Sequence, residues 1–160
     1  MDETGRHDTI RPGERQVHVP PRCDAALRFI GRCRTPFATR ADCPRQGRQD
    51  GPDCALEFDP PWDAALDGIE AFEHADVLYW LDRARRDLVT QSKGGTAVPV
   101  GTFALRSPVR PNPIGLSRVR LIRREGARLI VRGLDCIDGT PLVDLKPETC
   151  HHSAPGTPAR

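Results

Sequence analysis

Between Arg106 and Pro113 the chain places three prolines, two arginines and one asparagine in eight positions, then runs through Ile114, Gly115, Leu116 and Ser117 into an apolar alternation. Arginine suits a carboxylate or phosphate because its planar fork offers two parallel hydrogen bonds. Each proline fixes its own φ and drives the residue before it out of the helical region. Pro108, Pro111 and Pro113 therefore constrain Ser107, Arg110 and Asn112 as well. So restricted a loop loses little entropy when a ligand binds, which makes Arg106 and Arg110 part of a preformed binding rim. Gly115 adds a position for close backbone approach or for positive φ. On composition alone the loop also suits a rigid crossover, or a Pro108-x-x-Pro111 ligand for a proline-reading domain.

Other residues carry weaker signals. Six cysteines (Cys23, Cys33, Cys43, Cys54, Cys136, Cys150) include no C-x-x-C pair. In a reducing compartment they are expected as free thiols, and no structural or catalytic metal is expected, although Thr149–His152 could bind one adventitiously. His74, among apolar neighbours in "FEHADV", reads as a core or capping histidine, with a catalytic one the alternative. Trp62, Tyr79 and Trp80 read as core or dimer interface, with base stacking the alternative. Arg118 and Arg120 alternate with Val119 and Leu121 and so share one strand face, while Arg123, Arg124, Arg128 and Arg132 follow on a hairpin. These make either a local basic surface for phosphates or a solvated face.

The elements that position these residues are mostly strands. "ALRFIGRCRTPF" alternates, "CALEF" is a short strand, and "PPWDAALDGIEAF" is a turn with one or two helical turns. "ADVLYWL" has strand length and β-rich composition, "RARRDLVTQSKGGTAVP" reads as a basic then flexible loop, and "VGTFALR" as a strand. "GLSRVRLIRR", the turn "EGA" and "RLIVRGLDCI" make a hairpin. "DGTP" is a tight turn before a last strand, "LVDLK". Many short strands with little helix predict a mainly β fold, a barrel or sandwich. Residues 1–24 are polar and aperiodic and read as a flexible or loosely docked arm. Residues 25–148 form the domain, and 149–160 a flexible tail.

The chain has 160 residues, enough for one domain, with 16 prolines and 14 glycines and a net charge of only +2. No global field draws it to nucleic acid, so any basic patch must be local. No apolar run approaches the ~18 residues of a membrane span. The N-terminal stretch lacks the apolar core of a secretory leader, so a cytoplasmic protein is expected.

"VGTFALRSPVRPNPIGLSRVRL" resembles the signature of the TsaA-like family, S-adenosylmethionine-dependent methyltransferases of N6-threonylcarbamoyladenosine in tRNA. "PRQ" (Pro44–Gln46), "GIEAFEHADVLYWL" and "DGTPLVDLKP" (Asp138–Pro147) fit that family in the expected order. The resemblance implies a small single-domain β-barrel, not a Rossmann fold, working as a homodimer with its cofactor near the subunit contact. It implies cofactor contacts at Pro44, Arg45, Gln46, Arg106, Leu116, Asp138, Gly139, Thr140 and Pro141. Asp82 and Arg83 stand where the family commonly has His-Gln and belong to the same set, and the family's order brings Arg83, Arg85 and Arg86 near the hairpin arginines as part of the same possible basic surface. Arg106 or Arg45 would take the cofactor carboxylate, and Asp138 a ribose hydroxyl or the ammonium.

The enzyme so implied moves a methyl group from S-adenosylmethionine to a nitrogen beside the tRNA anticodon. That nitrogen is urea-like and poorly nucleophilic, which makes a carboxylate base attractive, with Asp82, Asp138 and Asp144 as candidates. The Asp82-Arg83 pair, and a chain that stops soon after "LKP", suit an alternative: an S-adenosylmethionine-binding regulatory module without methyl transfer.

Overall fold

Buried Gly115, Ser117 and Val119 alternate with exposed Ile114, Leu116, Arg118 and Arg120, the period-2 pattern of a strand with one wet face. In the computed structural model, which describes residues 10–19, 23–92 and 98–148, they open the longest described strand, Ile114–Glu125. In chain order the strands are β1 (Arg15–Gln16), β2 (Gly31–Arg34), β3 (Cys54–Phe58), β4 (His74–Trp80), β5 (Leu88–Gln91), β6 (Val100–Gly101), β7 (Ile114–Glu125), β8 (Arg128–Arg132) and β9 (Pro141–Pro147). Six close into a barrel in the order β2-β3-β8-β7-β4-β9, and β1-β5-β6 form a separate three-stranded sheet. The fold is mainly β, as expected. Its described helical turns are 3-10 helices at Trp62–Leu66, Ile69–Ala71 and Thr102–Ala104.

Every neighbouring pair in the barrel is antiparallel. Closure leaves the barrel no free edge. Its interior holds Cys33, Leu56, Val77, Val119, Leu129, Val131 and Leu142, with Leu66 and Ile69 brought in from the β3–β4 connection. Each such aliphatic side chain contributes about 1.5–3 kcal/mol on leaving water. None of the described helices is long and apolar enough to cross a membrane.

Three segments differ from the sequence reading. The first strand starts only at Gly31, because its partner β3 ends at Phe58, opposite Gly31; Leu27 and Phe29 lie exposed before it. "VGTFALR" pairs only through Val100 and Gly101, after which the Thr102 hydroxyl donates to the Leu88 carbonyl (2.7 Å) and the chain turns into a 3-10 helix. "RARRDLVTQSKGGTAVP", expected as a loop, contains β5, which lies between β1 and β6. Part of the N-terminal segment is docked there too: Arg15 and Gln16 pair with Thr90 and Leu88, and Glu14 accepts the Ser92 amide (3.0 Å).

The small sheet anchors the proline loop. The buried Gln91 amide nitrogen donates to the Thr102 hydroxyl (2.9 Å) and to the Val109 carbonyl (2.7 Å). Val109 and Pro113 point inward and are buried. Arg110 donates to the Leu105 carbonyl within its own loop (2.9 Å). The loop's stiffness thus comes from its prolines and from buried contacts at its centre.

Candidate functional site

Strand direction decides which connections meet. β2, β4 and β8 end, and β3, β7 and β9 begin, at one rim, as the antiparallel registers Arg34↔Ala55, Trp80↔Ile114, Cys54↔Val131 and Arg32↔Pro141 require. The connections between these strands, of which residues 35–53, 81–92, 98–113 and 133–140 are described, therefore leave from and return to that rim. They carry Pro44, Arg45 and Gln46; Asp82 and Arg83; Arg106; and Asp138, Gly139 and Thr140, with Pro141 the first residue of β9. Leu116 stands on the outer face of β7, 49% exposed, two residues beyond its start. Residues far apart in sequence are thus gathered by topology alone.

The three carboxylate candidates differ in what they already hold. Asp138 accepts the Thr35 amide (3.1 Å) and faces Arg34 (3.7 Å). Asp144 lies down β9, opposite Leu78, and is paired with Lys146 (2.7 Å). Asp82 is exposed, and among the described residues its carboxylate has no partner. Only Asp82 is therefore both at the rim and uncommitted. The Asp138–Pro141 turn itself is tightly built: Gly139 takes φ +79°, its amide donates to the Cys33 carbonyl (2.8 Å), and the Thr140 hydroxyl donates to the Ile137 carbonyl (2.7 Å).

The arginines divide in the same way. On the β7–β8 hairpin Arg118 is paired with Glu148, Arg120 with Glu73 at 3.8 Å, Arg123 with Glu125 at 2.7 Å, Arg124 with Asp67 at 3.0 Å, Arg128 with Glu57 at 3.4 Å and Arg132 with Asp53 at 2.6 Å. That face is neutralised. At the rim Arg45, Arg83 and Arg106 are exposed and have no carboxylate partner among the described residues. Arg86 lies over the Trp80 ring (4.8 Å) and Arg110 over the Phe103 ring (5.8 Å), where stacking leaves the guanidinium edge open.

One hydrogen-bonded cluster escapes the sequence reading. Asp135, in the β8–β9 connection, accepts the Tyr79 hydroxyl (2.5 Å) and the Ser117 hydroxyl (2.8 Å) on one oxygen. Its other oxygen accepts the Gly47 amide (3.2 Å), next to Gln46. Burial, with the neighbouring Asp135 charge, pushes the Tyr79 phenol far above its ordinary range, so it stays protonated and donates. Tyr79 is core, as one of its alternatives had it, while Trp62 is 38% exposed and Trp80 half-buried. His74 sits at the start of β4, the opposite end of that strand from Trp80, 3.2 Å from the Gln49 amide oxygen of the β2–β3 connection and 3.4 Å from Glu148.

Burial keeps three of the thiols protonated. The five described cysteines are free. Burial pushes Cys43 and Cys54 up to about 11, and the hydrogen bond with Cys33, together with burial, pushes Cys136 higher still. Among the described residues no group of His, Cys, Asp or Glu is arranged to hold a metal; Thr149–His152 lie outside them.

The site's free groups are guanidinium forks, one open carboxylate and a glycine turn. The family model "tRNA-methyltransferase O N-terminal domain" matches residues 32–152. A Rhizobium radiobacter protein named "Probable S-adenosyl-L-methionine-binding protein VirR" is 49% identical over 143 residues, covering 89% of this chain and 82% of its own. An Archaeoglobus fulgidus S-adenosyl-L-methionine-binding protein is 42% identical, over 75% of this chain and 86% of its own. Two crystal structures of TrmO superpose on 86% of this chain at 32% identity: one with a TM-score of 0.68, and one from Pseudomonas aeruginosa with 0.64. This chain spans 64% and 62% of those crystallised chains.

Proposed function

Because the chain belongs to the tRNA-methyltransferase O N-terminal domain family, we propose that it N-methylates N6-threonylcarbamoyladenosine beside the anticodon of tRNA. S-adenosylmethionine, when bound, supplies a methyl group on a sulfonium, which leaves as a neutral thioether while the acceptor nitrogen gains the methyl and loses its proton. The chain's part is to bind, align and accept that proton. Arg106 or Arg45, without a carboxylate partner among the described residues, holds the donor's carboxylate. Pro44, Gln46, Leu116 and the Asp138–Pro141 turn wall the adenosine. The observation that carries the reading is the convergence of these residues with uncommitted Asp82 at one rim. Asp82 is the base, since Asp138 and Asp144 are already engaged.

The same rim supports tRNA as substrate. Phosphates seek cations that no acid neutralises; these are at the rim and not on the hairpin. The RNA and the methyl donor are then on the same side of the barrel, as the chemistry requires.

Mass spectrometry of tRNA nucleosides tests the whole reading. The methylated nucleoside should appear with the protein and vanish without it, and Arg106→Ala should lower S-adenosylmethionine affinity by more than about tenfold, as the loss of a charge-assisted contact predicts. An unchanged nucleoside profile with donor binding intact would favour the regulatory module, which the relatives named only for binding also suit.

The site is completed by a second copy in this reading. Ile114 and Leu116 are 40% and 49% exposed and stand beside Trp80 and Leu78 on the outer face of the sheet, an apolar strip next to the rim. Sedimentation at micromolar concentration should give roughly twice the 17.7 kDa chain mass, and Leu116→Asp should give the single chain. A wild-type protein sedimenting as one chain contradicts the dimer.

A further inference from the structure

We propose that Asp135 is a positioning residue that holds the Pro44–Gln46 loop against the barrel in the geometry the methyl donor needs. The inference rests on the methyl-donor reading for its ligand, and on the Asp135 hydrogen bonds for its mechanism. The loop between β2 and β3 has no strand pairing over 35–53, and Arg45 and Gln46 are exposed. Such a loop wanders unless something ties it down. Its flanks are held at Thr35, Phe37, Gln49 and Asp53, and two contacts hold it beside Gln46. A Cβ on Gly47 would fall 1.6 Å from the Gly133 carbonyl oxygen, so the backbones touch. And the Gly47 amide donates to Asp135 (3.2 Å).

Asp135 is itself fixed from behind. Its other oxygen receives the Tyr79 and Ser117 hydroxyls, from β4 and β7. The carboxylate therefore joins two barrel strands to the centre of the loop, which transmits the barrel's rigidity to Pro44, Arg45 and Gln46. An asparagine at this position cannot do the same. Turned to keep its oxygen on Tyr79 and Ser117, it presents an NH2 to the Gly47 N–H, and two donors face each other. Asp135→Asn thus removes the loop contact while leaving the inner cluster largely satisfied.

Tyr79→Phe makes the opposite cut. It removes a hydroxyl within the barrel but leaves the carboxylate on Gly47. A merely structural role would make stability and affinity fall together in both variants, whereas the clamp separates them. In calorimetry with S-adenosylmethionine, Asp135→Asn should bind about tenfold more weakly with a melting temperature close to wild type. In the same variant the Gly47 amide should exchange with solvent about tenfold faster. Tyr79→Phe should melt lower and bind within about twofold of wild type.

Asp135→Asn with unchanged affinity and unchanged Gly47 exchange would overturn the proposal, as would equal loss of affinity in both variants. If the wild-type protein binds no S-adenosylmethionine, the methyl-donor reading fails, and Gly47 exchange alone then decides the clamp. Should Asp135→Asn not fold, Gly47→Ala displaces the loop without touching Tyr79 or Ser117. It must reproduce the loss of affinity, and wild-type binding there overturns the proposal.

Discussion

Gly115→Ala is expected to lower the melting temperature by roughly 6–12 °C, the effect of about 3 kcal/mol of overpacking in a domain of this size. The methyl would lie 2.0 Å from Tyr79 Cε2 and 2.5 Å from Cδ2 and Cζ, inside the ring. Tyr79 and Gly115 are register partners on β4 and β7, so the ring occupies the space that any side chain at 115 would need. The ring cannot swing aside, because it is 4% exposed and its hydroxyl is held by Ser117 and Asp135. Gly126→Ala is the control: it takes φ +63° with nothing within 4 Å of a Cβ, so only the backbone preference is lost, about 1 kcal/mol. Scanning calorimetry of the two variants gives the comparison. A Gly115→Ala protein melting with or above Gly126→Ala would mean that the Tyr79 ring does not lie across Gly115.

That result bears on what the sequence makes legible. Gly115 reads as a place of close approach or of positive φ, and only the fold chooses between them: the approach is by a ring 36 residues earlier, and φ is not positive. The β7–β8 hairpin is legible because its alternation is long and its turn local. β5 is not, since Leu88–Gln91 follow a run of arginines and their partner β1 lies some 75 residues away. "VGTFALR" has strand composition, yet a single hydroxyl contact from Thr102 ends the pairing after Gly101. Local propensity is outweighed there by a tertiary bond.

The candidate site divides similarly. Pro44–Gln46, Asp82–Arg83, Arg106 and Asp138–Pro141 are visible through the family's motifs, while their meeting at one rim follows from strand directions that no motif encodes. Asp135 is invisible at the sequence level. A lone carboxylate after an apolar strand has no spacing signal, and its partners Tyr79 and Gly47 are 56 and 88 residues distant. The hairpin arginines mislead in the opposite sense: their alternation is real, but the acids that neutralise them come from Asp53, Glu57, Asp67, Glu73 and Glu148, scattered along the chain.

Replacing Arg83 and Arg86 together with alanine should weaken tRNA binding by about tenfold or more and flatten its dependence on salt by roughly two contacts' worth. The net charge of +2 is too small for long-range attraction to dominate, so phosphate affinity must come from cations that are locally unopposed. Arg83 is exposed and without a carboxylate partner among the described residues, and Arg86 is held over Trp80 at 4.8 Å with its edge free. Both follow β4 directly onto the rim, beside the proline loop, where the Leu81 amide donates to the Pro113 carbonyl (2.8 Å). The Arg118→Ala, Arg120→Ala pair is the matched control. Those side chains face Glu148 and Glu73, so removing them frees two acids for each pair of cations lost. An arginine already paired with an acid neutralises no phosphate and so displaces no counterion from the RNA, and its removal should leave the salt slope within about half a unit of wild type. Filter binding of tRNA across a series of salt concentrations reads both variants in one experiment. If the hairpin pair flattens the slope and the rim pair does not, RNA approaches the barrel wall, and the rim serves the methyl donor alone.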